Sequence, residues 1–323
     1  MINLDDLDAL RAVDSTRLLA ALDALPEYVE AAWAAAQMWP LPDGLRPTAV
    51  LLAAAGTGAL AADLAVELAQ DASPVPLGVG RTAELPGWVG AGTLVVALRP
   101  TGEEDEPRLA AEAAAACGAT VLALDRPLEV PEAAAVGPLA VLLLGLLARL
   151  GLAAVSAAEV RGAAEAVRAQ QTKLRAESPV NANPAKRMAG QLMDRLPLLF
   201  AAAPLTAAAR YWAAQVNRLG RAPAMALATP EVAYGALAGS EHPEALIRRC
   251  MVLALRSSLS TPRADWLTAQ CRRVYMTAGF NTDEVAGTGP SPLAHALTAM
   301  HYGDYAAYYL AACYGVDPGG AAA

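Results

Sequence analysis

The stretch from Thr93 to Asp125, TLVVALRPTGEEDEPRLAAEAAAACGATVLALD, limits the fold more tightly than any other part of this chain. Thr93–Leu98 is a short apolar run, Pro107–Cys117 is an Ala-rich helical run, Gly118 stops it, and Thr120–Leu124 is apolar again. Two strands joined through a helix of that length run parallel, because a parallel crossover needs a dozen or more residues. Ligands of parallel sheets sit outside the carboxyl ends of the strands. Here that end is the loop Arg99–Glu106.

The loop carries conflicting signals. A loop entering a helix N-terminus suits an anion, since unpaired N–H groups and the helix dipole point there. Thr101 offers a hydroxyl and Gly102 permits close backbone approach. Four carboxylates follow, Glu103, Glu104, Asp105 and Glu106. They serve the helix start themselves and repel a phosphate, so the plainer reading is an acidic, well-capped helix on a solvated edge.

The same grammar recurs along the chain. Leucines at spacings of three and four over residues 4–39 predict two N-terminal helices. Thr48–Ala54 reads as a strand, Gly56-Thr57-Gly58 as a turn, and Leu60–Gln70 as a helix. That Gly-Thr-Gly turn suits either a small ligand on its backbone N–H groups or simply a tight βα turn. Pro76–Val79 is a short strand and Pro138–Gly151 a helix. Ala157–Glu177 is a long charged helix broken by Ser178–Pro184, a natural connection between domains. Beyond it Pro197–Ala202, Ala222–Ala228, Cys250–Leu255 and Asp283–Ala286 read as strands. Thr206–Leu219, Ala264–Ala278 and Pro292–Tyr314 read as helices. The expectation is α/β: two parallel-sheet, three-layer sandwiches with flanking helices, divided as residues 1–156, a connector 157–184, and 185–323.

Composition narrows the function. At 323 residues, 55% of them hydrophobic, the chain has material for two packed cores. A net charge of −8 without any basic aromatic cluster argues against nucleic acid, and nothing calls for a membrane. The longest uncharged apolar run, Ala133–Ala148, is shorter than the roughly 20 residues of a spanning helix. It reads as a buried helix of a cytoplasmic protein, as does the acidic N-terminus, which lacks a signal-peptide pattern. Cys117, Cys250, Cys271 and Cys313 are scattered through apolar runs, which predicts buried thiols in a reducing compartment, with no disulfide. With His242, His295 and His301 equally dispersed, no metal site is expected.

Several stretches resemble the double sugar-isomerase-domain (SIS) family of the bifunctional phosphoglucose/phosphomannose isomerase type. They are Leu85-Pro86-Gly87-Trp88-Val89, Asn183-Pro184-Ala185-Lys186, Ala207 through Asn217, and His301-Tyr302-Gly303-Asp304-Tyr305 through Gly315-Val316-Asp317-Pro318. The resemblance implies two SIS domains per subunit, a homodimer, a small sugar phosphate as ligand, and metal-free, cofactor-free aldose–ketose isomerisation. In that family a glutamate moves the proton between C1 and C2, while histidine and lysine open the ring. The phosphate sits on a Ser/Thr-rich loop, for which the matching residues here are Arg99, Thr101 and Gly102, with Gly56, Thr57 and Gly58 in the turn after the first strand.

This sequence departs from the family at the chemical positions. Arg218 stands at the glutamate and stays protonated near neutral pH. Tyr234 stands at the histidine. Gly319-Gly320-Ala321-Ala322-Ala323 follows Asp317-Pro318 where the lysine helix is expected. Glu231 and His301 are the nearby substitutes for an acid or base. Their plainer roles are charge complementarity at a helix start and a polar partner in a packed dimer interface. Two expectations result: a catalytically degenerate family member retaining at most sugar-phosphate binding, or an active isomerase with a rewired acid–base set. The aromatic run Tyr302, Tyr305, Tyr308 and Tyr309 supplies apolar area for the dimer.

Overall fold

The computed structural model of the protein describes residues 2–320. Residues 321–323, at the end where the resemblance places a lysine helix, lie outside them. The chain forms two compact units, Glu27–Arg161 and a discontinuous one of Met1–Pro26 with Gly162–Ala323. It enters through α1 (Leu7–Val13), α2 (Leu18–Asp23) and α3 (Leu25–Met38), three helices rather than two. Arg17, in the left-handed region at φ 56°, turns the chain between α1 and α2.

In the unit of residues 27–161, the elements are β1 (Ala49–Ala54), α4 (Gly56–Ala69), β2 (Leu77–Gly80), β3 (Thr93–Arg99), α5 (Asp105–Ala116), β4 (Thr120–Asp125) and α6 (Val136–Arg149). The sheet order is β2-β1-β3-β4 and every pairing is parallel. In register, Leu51 lies opposite Val95 and Ala54 opposite Leu98. The runs Val50–Ala54 and Leu94–Leu98 are buried throughout, as strands covered on both faces must be. Leu51, Ala53 and Val95 pack on Ala110 and Ala114 of α5. In α6 every residue from Val136 to Leu147 is buried, which accounts for the long apolar run without a membrane. Gly145 lets α6 approach α3, since a Cβ there would stand 2.5 Å from the Ala36 Cβ.

In the discontinuous unit, α7 (Ala157–Leu174, from Gly162 onward), α8 (Pro184–Leu192), β5 (Leu196–Ala201), α9 (Thr206–Arg218) and β6 (Met225–Ala228) come first. Then follow α10 (Glu231–Tyr234), α11 (Glu244–Ile247), β7 (Cys250–Arg256), α12 (Pro262–Thr277), β8 (Asn281–Ala286) and α13 (Pro292–Tyr314). The sheet is again all parallel, in the order β6-β5-β7-β8. Phe200, Val252 and Ala254 pack on Cys271 and Tyr275 of α12. No helix among the described residues is long and apolar enough to cross a membrane.

Three expectations need correction. Residues 1–26 group with the second sheet rather than with residues 27–156, because their polar groups are used there. Leu22 O accepts from His301 Nε2 at 3.0 Å, Asp23 O from Gln171 Nε2 at 2.7 Å, and the Asp5 carboxylate holds Lys186 Nζ at 3.0 Å. Three of the four tyrosines expected to supply a dimer interface are not spare surface for a partner. Tyr305, Tyr308 and Tyr309 are fully buried within their own unit, and their hydroxyls donate to Asp23, Leu10 O and Leu174 O. Finally, Cys117 is exposed just beyond α5, while Cys250, Cys271 and Cys313 are buried; all four are free thiols.

Candidate functional site

In the first unit the pairing of β1 with β3 brings Gly56, Thr57 and Gly58 beside the Arg99–Gly102 loop. The Gly-Thr-Gly segment is the first turn of α4 itself, entered through Gly56 at φ +50°. A Cβ on Gly58 would lie 3.3 Å from Pro100 Cδ, so this glycine sets the closeness of turn and loop. Beside them is a cavity of about 190 Å³ lined by Pro100, Thr101, Leu128, Val130, Glu132 and Leu139.

Every side chain that the sequence nominates for an anion is engaged within this loop system. Thr57 Oγ1 donates to Glu132 Oε1 at 2.9 Å. The Thr101 N–H donates to Glu104 Oε1 at 3.1 Å, and Thr101 Oγ1 accepts from the Glu103 N–H at 3.2 Å. Arg99 donates to Glu104 O at 3.0 Å and to Gly102 O, and pairs with Asp125 at 3.0 Å. Glu104 Oε2 is buried with no partner among the described residues. Gly102, at φ +81°, completes the turn. The carboxylates of Glu104 and Glu132 thus hold the donors that an incoming phosphate would need.

The candidates in the second unit are scattered. Arg218 ends α9, its Nη2 donating to Gln215 Oε1 at 3.0 Å. Gln215 Nε2 donates to Asp304 Oδ1 at 2.6 Å, as does the Tyr211 hydroxyl, also at 2.6 Å. Asp304 is enclosed, and burial outweighs these bonds and the nearby Arg218 charge, pushing its carboxyl up to about 7. Tyr211 is pushed well up as well, by burial and by Asp304. Glu231 and Tyr234 are exposed at the two ends of α10, a single turn following Pro230, and Tyr234 is 83% exposed. His301 is fully buried in α13, its ring edge-on to Tyr305 at 4.8 Å and its Nδ1 without a partner among the described residues. Burial drives its pKa down to about 4, so it stays neutral near pH 7. The structure therefore unites Gly56, Thr57, Gly58, Arg99, Thr101 and Gly102. It separates His301, sealed in a core, from Glu231 and Tyr234, which face solvent.

Sequence reasoning missed three polar features. One is the Asp304–Tyr211–Gln215 network, whose signal was a lone acid in a helix, α13, without any Lys or Arg. Another is Lys186, 1% exposed, donating to Ala176 O at 2.8 Å as well as to Asp5. The third is Ser257, just beyond β7, bonded to His295 Nδ1 at 2.8 Å while His295 Nε2 meets Gly289 O at 3.2 Å. Burial lowers the His295 pKa, so this too is a neutral pair. Among the described residues no group of three His, Cys, Asp or Glu side chains is placed to hold a metal ion.

Residues 181–323 match the family described as "Bacterial phospho-glucose isomerase C-terminal SIS domain". The bifunctional phosphoglucose/phosphomannose isomerase of Caldicellulosiruptor bescii is 23% identical over 288 residues, 83% of this chain and 85% of that protein. A glucose-6-phosphate isomerase-like protein from Thermus thermophilus superposes with a TM-score of 0.67 at 24% identity, covering 98% of each chain. The C-terminal domain of glucosamine-fructose-6-phosphate aminotransferase from Francisella tularensis gives a TM-score of 0.67 at 13% identity, covering 92% of this chain and 96% of that one. Residues 181–323 thus match a SIS domain of the phosphosugar isomerase class, and the first sheet repeats the strand order of the second. Within that class it resembles the bifunctional phosphoglucose/phosphomannose isomerases in particular.

Proposed function

We propose that the chain is a phosphosugar-isomerase-family protein of the cytoplasm that does not interconvert aldose and ketose phosphates, and that sugar phosphate is held weakly, if at all, by the loop of the first unit. The observation that carries this reading is the self-filled loop. Thr57, Thr101 and Arg99 are bonded to Glu132, Glu104, Asp125 and backbone carbonyls of their own unit. A phosphate would have to displace those carboxylates and meet their charge at close range.

The chemistry points the same way. Moving a proton between C1 and C2 needs a group that accepts it near neutral pH within hydrogen-bond reach of C2. Arg218, at the position of the family's base, is a guanidinium anchored to Gln215. Of the two substitutes, His301 is sealed from any substrate, and Glu231 sits exposed on a single helical turn. Nothing favours a rewired acid–base set. The homodimer belongs to this reading on the resemblance alone, since Tyr305, Tyr308 and Tyr309 are spent inside one unit. Light scattering showing a monomer over a wide concentration range would remove it.

A coupled assay with glucose 6-phosphate and mannose 6-phosphate tests the central claim. The expected result is no turnover above background for the wild type. Turnover confined to Arg218→Glu would show a sugar pocket that lacks only its base, in keeping with the proposal. Robust wild-type turnover abolished by Glu231→Ala would overturn it.

A further inference from the structure

A second, larger cavity, of about 690 Å³, lies wholly within the discontinuous unit, between α7, the start of α8, the open edge of β8 and α13. That volume is within the range of small-molecule sites, about 300–1,000 Å³. Its charges are uncompensated in a way the first-unit loop is not. Among the described residues Lys173 has no ion-pair partner, and Arg187 spends Nη1 on the Asn181 carbonyl at 2.7 Å. On the opposite wall Asp283 accepts only the N–H of Glu284 at 2.8 Å and has no cation of its own among the described residues. Glu284 is neutralised by Arg272 at 3.4 Å and Arg256 at 3.6 Å, which leaves Asp283 as the acid facing the space. Tyr302 closes one end, its ring stacked on Trp212 at 5.6 Å and its hydroxyl bonded to Pro184 O at 2.9 Å. Asp283 and Arg187 both act on that phenol, which places opposite charges around one aromatic wall.

We infer that this groove is a binding site for a small, hydroxyl-rich phosphomonoester, with its phosphate on Lys173 and Arg187 and its hydroxyls on Asp283 and Thr288. Two cations without an acidic partner among the described residues match the roughly two negative charges of a phosphomonoester, whereas a simple carboxylate would leave one cation unanswered. A carboxylate that accepts a single backbone bond is suited to sugar hydroxyls, which can donate to its remaining lone pairs. Gln170 fixes the α7 wall by donating to Thr298 O at 2.8 Å, so the groove is built before a ligand arrives. The inference rests on the reading that the first-unit loop is self-filled, and it moves whatever sugar-phosphate binding the chain has to a different place.

The test is calorimetric titration of the full chain with glucose 6-phosphate, comparing wild type, Lys173→Glu and Thr57→Val. Lys173 is exposed and unpaired, so its reversal leaves the fold intact, which an unchanged melting temperature verifies. The expected result is saturable binding by wild type and Thr57→Val, with affinity lowered about tenfold or more in Lys173→Glu. Binding lost in Thr57→Val but kept in Lys173→Glu would overturn the groove and the self-filled loop together. No saturable heat from the wild type up to about 10 mM would overturn the groove alone and leave the loss of isomerase chemistry standing.

Discussion

Asp304→Asn is expected to make the protein more stable at pH 8 and to flatten its loss of stability with rising pH. The wild-type carboxyl has an ordinary value of 3.8 when unfolded and is pushed up to about 7 when folded, chiefly by burial. Below 3.8 it is protonated in both states, and above 7 it is ionised in both. In between, the unfolded chain releases the proton while the folded one keeps it, so stability falls as pH rises through this window. At about 1.4 kcal/mol per pH unit, the whole window amounts to about 4 kcal/mol, and the part between about pH 5 and 7 to about 3 kcal/mol. Asparagine keeps an oxygen for Tyr211 and Gln215 but adds a buried N–H₂, at a cost of about 1–3 kcal/mol. The absolute change at one pH therefore mixes two effects. The difference between pH 5 and pH 8 isolates the carboxyl, because every other titrating group is common to both proteins. Urea denaturation followed by near-UV circular dichroism should show the variant gaining about 3 kcal/mol on the wild type between those two pH values. Parallel pH profiles for the two proteins would refute the argument and mean that Asp304 stays ionised in its network.

Lys186→Met should cost about 1–3 kcal/mol in the same denaturation experiment, mainly because it leaves the Ala176 carbonyl buried and unpaired. Gly303→Ala, normally a gain of about 1 kcal/mol inside a helix, should instead lower the melting temperature. The new methyl would lie 2.5 Å from Trp212 Nε1, which is fully buried and bonded to Ala299 O. A maleimide applied to the native protein should label Cys117, read out by mass spectrometry after digestion. Cys250, Cys271 and Cys313 should react only after denaturation, since burial both hides them and raises their thiol pKa values.

The sheets were legible because a strand covered on both faces leaves an unbroken apolar run. Thr93–Leu98 and Cys250–Leu255 each end one residue short of the observed strand, at an arginine. The helix Pro292–Tyr314 is found with the same bounds, Ser291 capping its start and Gly315 its end. Local signals failed where tertiary partners decide. Gly56-Thr57-Gly58 has the composition of a turn, yet pairing of the strands beneath it draws it into α4. Arg99 matches the family's phosphate loop in sequence, and only the folded loop shows it spent on Gly102, Glu104 and Asp125. His301, Tyr305 and Tyr308 carry the look of an interface. What buries them is a segment some 280 residues earlier, a distance over which no periodicity argument reaches.

That separation has a consequence for synthesis. The unit of residues 27–161 is one continuous piece of chain and can close as soon as it has left the ribosome. Leu10 and Leu22, each 1% exposed in the finished fold, are made well before α13, whose Tyr308 and His301 bond to their carbonyls. Until His301 and Tyr308 have been made, α1 and α2 thus lack the α13 partners that hold them in the finished fold. A ribosome that stalls before His301, or a protease that removes α13, leaves α1 and α2 without those partners.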